Sequence, residues 1–336
     1  MVKKRRCLHF KWKKWKFLYY RNGKIVVEPA DELSVNIPSW FSEQLPLSYD
    51  LALDIQEFRE KMKEKIEELK NSSKKIEKEQ EIINWLSKTY NIDFNSAKSI
   101  LNYFREQERI STIPGKELLI EIIKRKDEYG RDYYSYVFHS LIGKKANRAL
   151  AYYIAERLKD LFVIVPRIYV HDNGFVIETD KRIEFDEELI KELLLEDKEK
   201  IKETIKKAIK DTFLVKRIFR HVATRSFLIL RRYLSKKRSV DQQIRLSLNL
   251  VKLMPFIPVL EKETYREILE DKMDIDNLFD YLDSFKKERA IKIKKLKFLS
   301  PFSLNILEGE SDTLSLGKEK VKELYKKIKE YLAKLN

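Results

Sequence analysis

The sequence predicts an α+β protein with helix in excess, and three patterns carry that reading. Apolar residues recur at steps of three and four through several long charged segments, the period of a helix that buries one face. Short β-prone runs bounded by Gly, Asn, Asp or Pro interrupt those segments, which is how strands look in a mixed fold. No stretch repeats with a period of about 20–50 residues, which argues against a solenoid.

Four domains are expected. Residues 1–50 form a small β element followed by a tryptophan loop: aromatic and basic residues alternate over 10–28, the Asn22-Gly23 step signals a hairpin, and Pro38 holds 36–41 extended. Residues 51–75 form one long amphipathic helix with Leu51, Ile55, Phe58, Met62, Ile66 and Leu69 on its inner stripe, ended by the polar run at 71–75. Residues 76–140 read as a winged-helix-like module. One helix carries Ile76, Ile83 and Leu86, a turn falls at 90–93, and a second helix carries Ala97, Ile100, Leu101 and Phe104. Strands at 118–123 and 133–138 follow, joined by a charged turn at 127–131. Residues 141–336 form a mixed region with a helix over 144–160, strands at 162–170 and 175–178 around the Asp172-Asn-Gly174 turn, and helices to about 287. A strand at 291–298 and a lysine-rich helix at 317–335 complete it.

Composition removes several classes of function. At 43% hydrophobic the chain is not disordered, and no apolar run approaches the roughly 18 residues that span a bilayer, so no membrane partner is expected. The basic opening lacks the apolar core of a secretory signal and Cys7 is the single cysteine, which together point to the cytoplasm. Only 7 glycines are present, and the nearest approach to a phosphate-wrapping loop, 309–319, has glycines too far apart and Glu319 after its lysine. His9, His139, His171 and His221 are isolated, so no metal site is expected. The acidic pairs Glu178/Asp180 and Asp271/Asp274 leave a magnesium-dependent nuclease as a minor alternative. Abundant Lys, Glu and Ile with few Met and Cys fit a protein from a hot environment.

The formal charge is +16, and its location matters more than its size. Residues 1–24, which include Lys14 and Lys16, hold ten Lys or Arg and no acid, and residues 213–245 hold ten against Asp241 alone. Two focused basic segments on a nearly neutral body suit a polyanion such as a nucleic acid. Within the second, a helix over 213–234 gathers Lys216, Arg217, Arg220, His221, Thr224, Arg225, Arg231 and Arg232 on one half, with Leu228 as the exception among its apolar residues. That face either grips a phosphate backbone or turns inward, with Arg220 or Arg225 paired to Glu267 or Asp271. Trp40 is likewise either a core plug or a platform on which a base stacks.

Three blocks of phrases stand in order along the chain. The first is Lys14-Trp-Lys-Phe-Leu, Val27-Glu-Pro-Ala30, Ile37-Pro-Ser-Trp-Phe-Ser-Glu43 and Pro46-Leu-Ser-Tyr-Asp-Leu51. His139-Ser-Leu-Ile-Gly-Lys-Lys-Ala-Asn-Arg-Ala-Leu150 with Asp172-Asn-Gly-Phe-Val-Ile177 forms a second. Phe219-Arg-His-Val-Ala223, Gln242-Gln243 and Glu263-Thr-Tyr-Arg-Glu-Ile-Leu-Glu-Asp271 form a third. Taken together, they resemble the region that follows the motor domains in the large helicase-related (Lhr) family of ATP-dependent helicases, including its DEAD/H-associated segment. The resemblance implies an accessory module closing over the tracking strand, with Trp40 coupling ATP hydrolysis to unwinding; Ser42 stands where the family's box has Gly. A family member carries its motor domains before this region, and no ATP-binding motif is found in this sequence, so the chain is read as the nucleic-acid-binding half of a split 3′→5′ helicase, acting on single-stranded or duplex DNA or an RNA–DNA hybrid. A separate RecA-type motor subunit would carry ATP and Mg. Trp40, Lys14, Lys16, Arg217, Arg220, Arg225, Arg231 and Arg232 are the expected nucleic-acid contacts, and a stand-alone binding protein is the alternative.

Overall fold

The structure is a computed structural model describing residues 7–10, 13–21, 24–29, 45–127, 129–233, 236–287, 289–307 and 310–311. They divide between Leu45 and Pro46 into two compact units. The first holds a three-stranded antiparallel sheet of β1 (Cys7–Phe10), β2 (Lys13–Arg21) and β3 (Lys24–Pro29). Arg21 pairs with Lys24, the register expected of a hairpin at the intervening step, and β2 bulges between Phe17 and Tyr19. The expected tryptophan loop and the expected helix at 317–335 lie outside the described residues.

The second unit starts with three helices. In α1 (Tyr49–Asn71), Ser48 Oγ caps the first turn by accepting from Leu51 N at 3.3 Å. α2 (Lys75–Tyr90) ends on Asn91 in the left-handed region, and Asp93 Oδ1 then accepts from Asn95 N and Ser96 N to open α3 (Phe94–Ile110). Met62, Ile66 and Leu69 of α1 pack with Ile83, Leu86, Leu101 and Phe104, each fully buried aliphatic contributing about 1.5–3 kcal/mol. The first half of α1 departs from its sequence pattern. Leu51 is exposed, and Ala52, Gln56 and Arg59 occupy the inner positions. Polar partners cause the rotation: Gln56 Nε2 donates to Leu141 O at 2.6 Å and Gln56 Oε1 accepts from Arg289 Nη2 at 2.9 Å.

Next come β4 (Leu118–Lys126), β5 (Asp132–His139) and α4 (Gly143–Phe162), then β6 (Arg167–His171) and β7 (Gly174–Thr179). The expected strand start at 162 is a correction, because α4 continues to Phe162 and closes on Val163 in the left-handed region, and Pro166 delays the strand to Arg167. Three helices follow, α5 (Glu187–Leu194), α6 (Lys198–Ile209) and α7 (Phe213–Arg225), then the strand pair β8 (Arg232–Tyr233) and β9 (Lys236–Lys237). α8 (Val240–Leu250) opens with a capping box between Ser239 and Gln242, which gives Gln242 a structural task. A 3₁₀ turn, Val251–Phe256, leads to α9 (Pro258–Arg266), which runs into a π turn, Glu267–Lys272. The chain continues through α10 (Ile275–Lys286), β10 (Ile291–Leu296), α11 (Pro301–Leu307) and β11 (Glu310–Ser311).

The large sheet has the order β10-β4-β5-β7-β6-β11, and β10 runs parallel to β4 while every other pair is antiparallel. The α+β class is therefore borne out. The hairpin expected as a wing within 76–140 is instead interior to this sheet, held on one side by β7 and on the other by the edge strand β10, so a boundary at 140 would cut the sheet. Side chains alternate across it. Leu118, Ile120, Tyr136 and Phe138 face α4 and the main core, while Ile123, Val137 and Val176 face Ile306 and Leu307 of α11.

On the α11 side the sheet carries a buried polar knot. Glu121, at 0% exposure, receives Ser300 Oγ at 2.7 Å and Ser303 Oγ on Oε2, with His139 Nε2 at 3.3 Å. Gln107 of α3 joins it by donating to Thr112 O at 2.9 Å and accepting from Phe302 N at 3.0 Å. Burial pushes the Glu121 carboxyl up, and His139 and Ser303 more than reverse this, bringing its pKa to about 2. Among the described residues no single helix is long and apolar enough to cross a membrane.

Candidate nucleic-acid interface

Position in α7 separates its cations from its core. Val215, Ile218, Phe219, Val222 and Ala223 are buried against α8 and α9, leaving Arg217 and Arg220 half-buried and His221 and Arg225 exposed on the other half. The helix expected over 213–234 ends at Arg225, and the cause is Ile229. Its side chain is buried and its N–H returns to Ala223 O at 2.8 Å, which requires Phe227 to adopt φ +62°. A non-glycine residue in that region is held at a cost of about 1–2 kcal/mol.

The sequence continues into β8 and β9 rather than another helical turn, and the basic face survives the change of direction. Arg231 is exposed and its carbonyl accepts from Arg238 N at 2.9 Å. Arg232 pairs in register with Lys237, two like charges directly opposite, an arrangement that favours a bound polyanion. Arg220 Nη2 lies 3.3 Å from His221 Nε2. Partial loss of solvent and then the guanidinium groups of Arg220, Arg225, Arg217 and Arg231 hold the His221 pKa below its ordinary 6.5. Five of the residues predicted from sequence are thus brought to one neighbourhood, Arg232 by its strand position and the other four by their field at His221.

One alternative for this face is realised in part. Arg225 pairs with Glu267, so it serves the fold as well as the surface, whereas no described carboxylate is paired with Arg220. Lys14 and Lys16 lie in β2, opposite His9 and Cys7 of β1, and their side chains lie outside the described residues. Trp40 lies outside them altogether. Phe227 was missed by sequence reasoning: it is 79% exposed directly after the arginine helix, and the break that Leu228 makes in the apolar wheel was the available signal.

Of the acidic pairs weighed for magnesium, Glu178 is committed internally to Arg125 Nη1 at 3.1 Å and Ser135 Oγ at 3.0 Å. Among the described residues no three His, Cys, Asp or Glu gather as metal ligands. Two phrases distant in sequence do meet. Asn147 accepts from Ser140 Oγ at 2.7 Å and donates to His171 O and Asp172 O at 2.9 and 3.0 Å, and Gly143 N donates to Asp172 O at 3.2 Å.

Residues 114–303 match the family described as DEAD/H associated. The chain belongs to that family. The expected resemblance to the Lhr helicases is borne out by two curated relatives. It is 40% identical over 96% of its length to "ATP-dependent helicase Lhr-Core protein 2" of Thermococcus barophilus, and 38% identical over 96% to "ATP-dependent helicase Lhr-Core" of Methanocaldococcus jannaschii. The chain spans 36% of the length of each. Among solved structures, the Mycobacterium smegmatis helicase Lhr, described as bound to ssDNA and AMP-PNP, matches with a TM-score of 0.63 at 19% identity over 82% of this chain and 33% of that one. That likeness establishes the fold. The DEAD/H-associated match includes α7, β8, β9 and the π turn, so the arginine face belongs to the family's own segment, while Lys14, Lys16 and Trp40 precede it.

Proposed function

We propose that this chain is the nucleic-acid-gripping C-terminal half of an Lhr-type ATP-dependent 3′→5′ helicase, with its RecA-type motor on a separate subunit. The observation that carries the reading is the convergence of Arg217, Arg220, Arg225 and Arg231 on His221. Fixed cations concentrated on one ridge attract a phosphodiester backbone, and each phosphate they neutralise releases condensed counterions. Guanidinium forks bind phosphate oxygens without reading bases, so the grip is independent of sequence, as a tracking strand requires. The exposed Phe227 ring adds a surface on which a base stacks. Lys14, Lys16 and Trp40, which belong to the first unit, are taken as further nucleic-acid contacts on the strength of the sequence alone. The partner is DNA, single-stranded or duplex, or an RNA–DNA hybrid.

ATP and Mg act on the motor subunit, because no glycine-rich phosphate loop exists in this sequence to fit them. The helicase relatives support the helicase reading, and the single-stranded DNA bound to the mycobacterial Lhr supports the ligand class.

The purified chain should bind single strands with steep salt dependence and hydrolyse no ATP. ATP-dependent unwinding should appear when the motor subunit is added, and co-elution in size-exclusion chromatography should accompany it. Trp40→Ala should reduce unwinding more than strand binding. Measurable ATPase activity in the isolated chain would sink the proposal.

A further inference from the structure

Arg59 stands out in α1 because the fold buries its charge. It is 7% exposed, and among the described residues no carboxylate pairs with it. Nη2 donates to Asn173 Oδ1 at a long 3.4 Å, and the guanidinium carbon lies 4.8 Å from the centre of the Phe302 ring. Burial lowers its pKa only to about 10, so the group stays cationic at neutral pH. A buried cation normally has an anion beside it, because desolvation is otherwise uncompensated.

The place for that anion is visible. Arg59 lines a cleft of about 390 Å³ together with Ile55, Tyr103, His139, Asn173 and Asn305. His139 provides a second, independent sign of a ligand. Its Nε2 is engaged by Glu121 at 3.3 Å, while its Nδ1 is buried with no partner. Asn173 Nδ2 donates to Asn305 Oδ1 at 2.6 Å, which leaves the Asn305 amide nitrogen as a donor at the rim. The cleft therefore offers a forked cation and an amide donor, and is lined in part by a histidine whose ring keeps an unpartnered nitrogen, against walls that are mostly apolar or aromatic.

We propose that this cleft binds a phosphate group, carried on a small free ligand or on the end of a nucleic-acid strand. A carboxylate has two oxygens and would be satisfied by the guanidinium fork alone, whereas a phosphate monoester presents three, enough to meet the fork and further polar groups of the cleft together. The volume exceeds what the anion itself occupies, leaving room for an attached group against Ile55. The inference does not rest on the arginine face of α7, since none of its cations lines this cleft.

The test is ³¹P NMR and calorimetric titration of the whole chain with inorganic phosphate, followed by oligonucleotides carrying a 5′-phosphate or a 5′-hydroxyl. Saturable phosphate binding is expected, weakened about tenfold or more by Arg59→Met and by Ile55→Trp, which fills the cleft without touching the charge. If strand ends are the source, the 5′-phosphorylated oligonucleotide binds more tightly than its hydroxyl counterpart and Ile55→Trp abolishes the difference. If free ligands are the source, the two oligonucleotides bind alike while phosphate binding is retained. Should Arg59→Met fail to fold, Ile55→Trp decides alone. Absence of saturable binding at millimolar phosphate, or binding unchanged in Ile55→Trp, overturns the proposal.

Discussion

Arg225, the last residue of α7, closes on Glu267, the first residue of the π turn that follows α9. This pair divides the arginine face by task. The Glu267 carboxylate is largely buried, so removing Arg225 strands it, whereas Arg217 and Arg220 lie in the middle of the helix. Arg225→Ala should lower stability by about 1 kcal/mol, since its own exposure to water screens the pair, and should be rescued by Glu267→Ala in thermal melts. Arg217→Ala with Arg220→Ala should instead weaken strand binding for all sequences and reduce the slope of log affinity against log salt by roughly 1–2. An unchanged slope would mean that these two arginines do not meet phosphate.

His221 reports on the same field. Partial burial and its four arginine neighbours keep its pKa below 6.5 in the free chain. A bound phosphate backbone offsets those arginines, so the pKa rises on binding and the complex takes up a proton. Affinity should therefore increase as the pH is lowered and His221 becomes charged in the complex, and calorimetric heats in that range should depend on the buffer's ionisation enthalpy. His221→Gln should remove both effects.

Phe227 combines exposure with a strained backbone, and the two can be separated by substitution. Phe227→Ala keeps the strain and removes the ring, so single-strand binding should weaken by roughly 1–3 kcal/mol with stability nearly unchanged. Phe227→Gly removes both, so it should bind as weakly as the alanine variant while melting at a higher temperature, the strain of about 1 kcal/mol being relieved. Equal binding by the native chain and Phe227→Ala would show that no base stacks there.

The Glu121 knot predicts the acid limb of stability. Its folded pKa of about 2 lies below the ordinary 4.5, so its contribution is complete above pH 4.5 and is lost as pH falls from there towards 2. The urea midpoint of the native chain should decline across that window, and Glu121→Gln should decline less from a lower starting value. Parallel curves would place the acid sensitivity elsewhere.

How much of this was legible in the sequence depended on whether the deciding contact was local. The turn at 90–93 and the hairpin of β4 and β5 were read correctly, because Asn91, Asp93 and the charged turn signal within their own neighbourhoods. The neighbours of that hairpin were not, because β10 reaches β4 from the far end of the chain. Arg59 escaped notice for the same reason: Leu51, Ile55 and Phe58 make a better apolar stripe, and only Leu141 and Arg289, which meet Gln56 from distant segments, turn the helix the other way. The arginine face was legible as composition. Its bend at Phe227 was not, since it depends on Ile229 finding a hole in the core.

The parallel pairing of β10 with β4 also sets a timetable for biosynthesis. Residues 118–123 leave the ribosome long before the strand that shields their outer edge, 291–296. Until then the nascent chain carries an unpaired hydrophobic strand rim, the kind of surface that recruits chaperones or sticks to its own kind. A chain truncated before residue 291 would leave that rim permanently open, so it should accumulate as inclusion bodies rather than as a smaller soluble product.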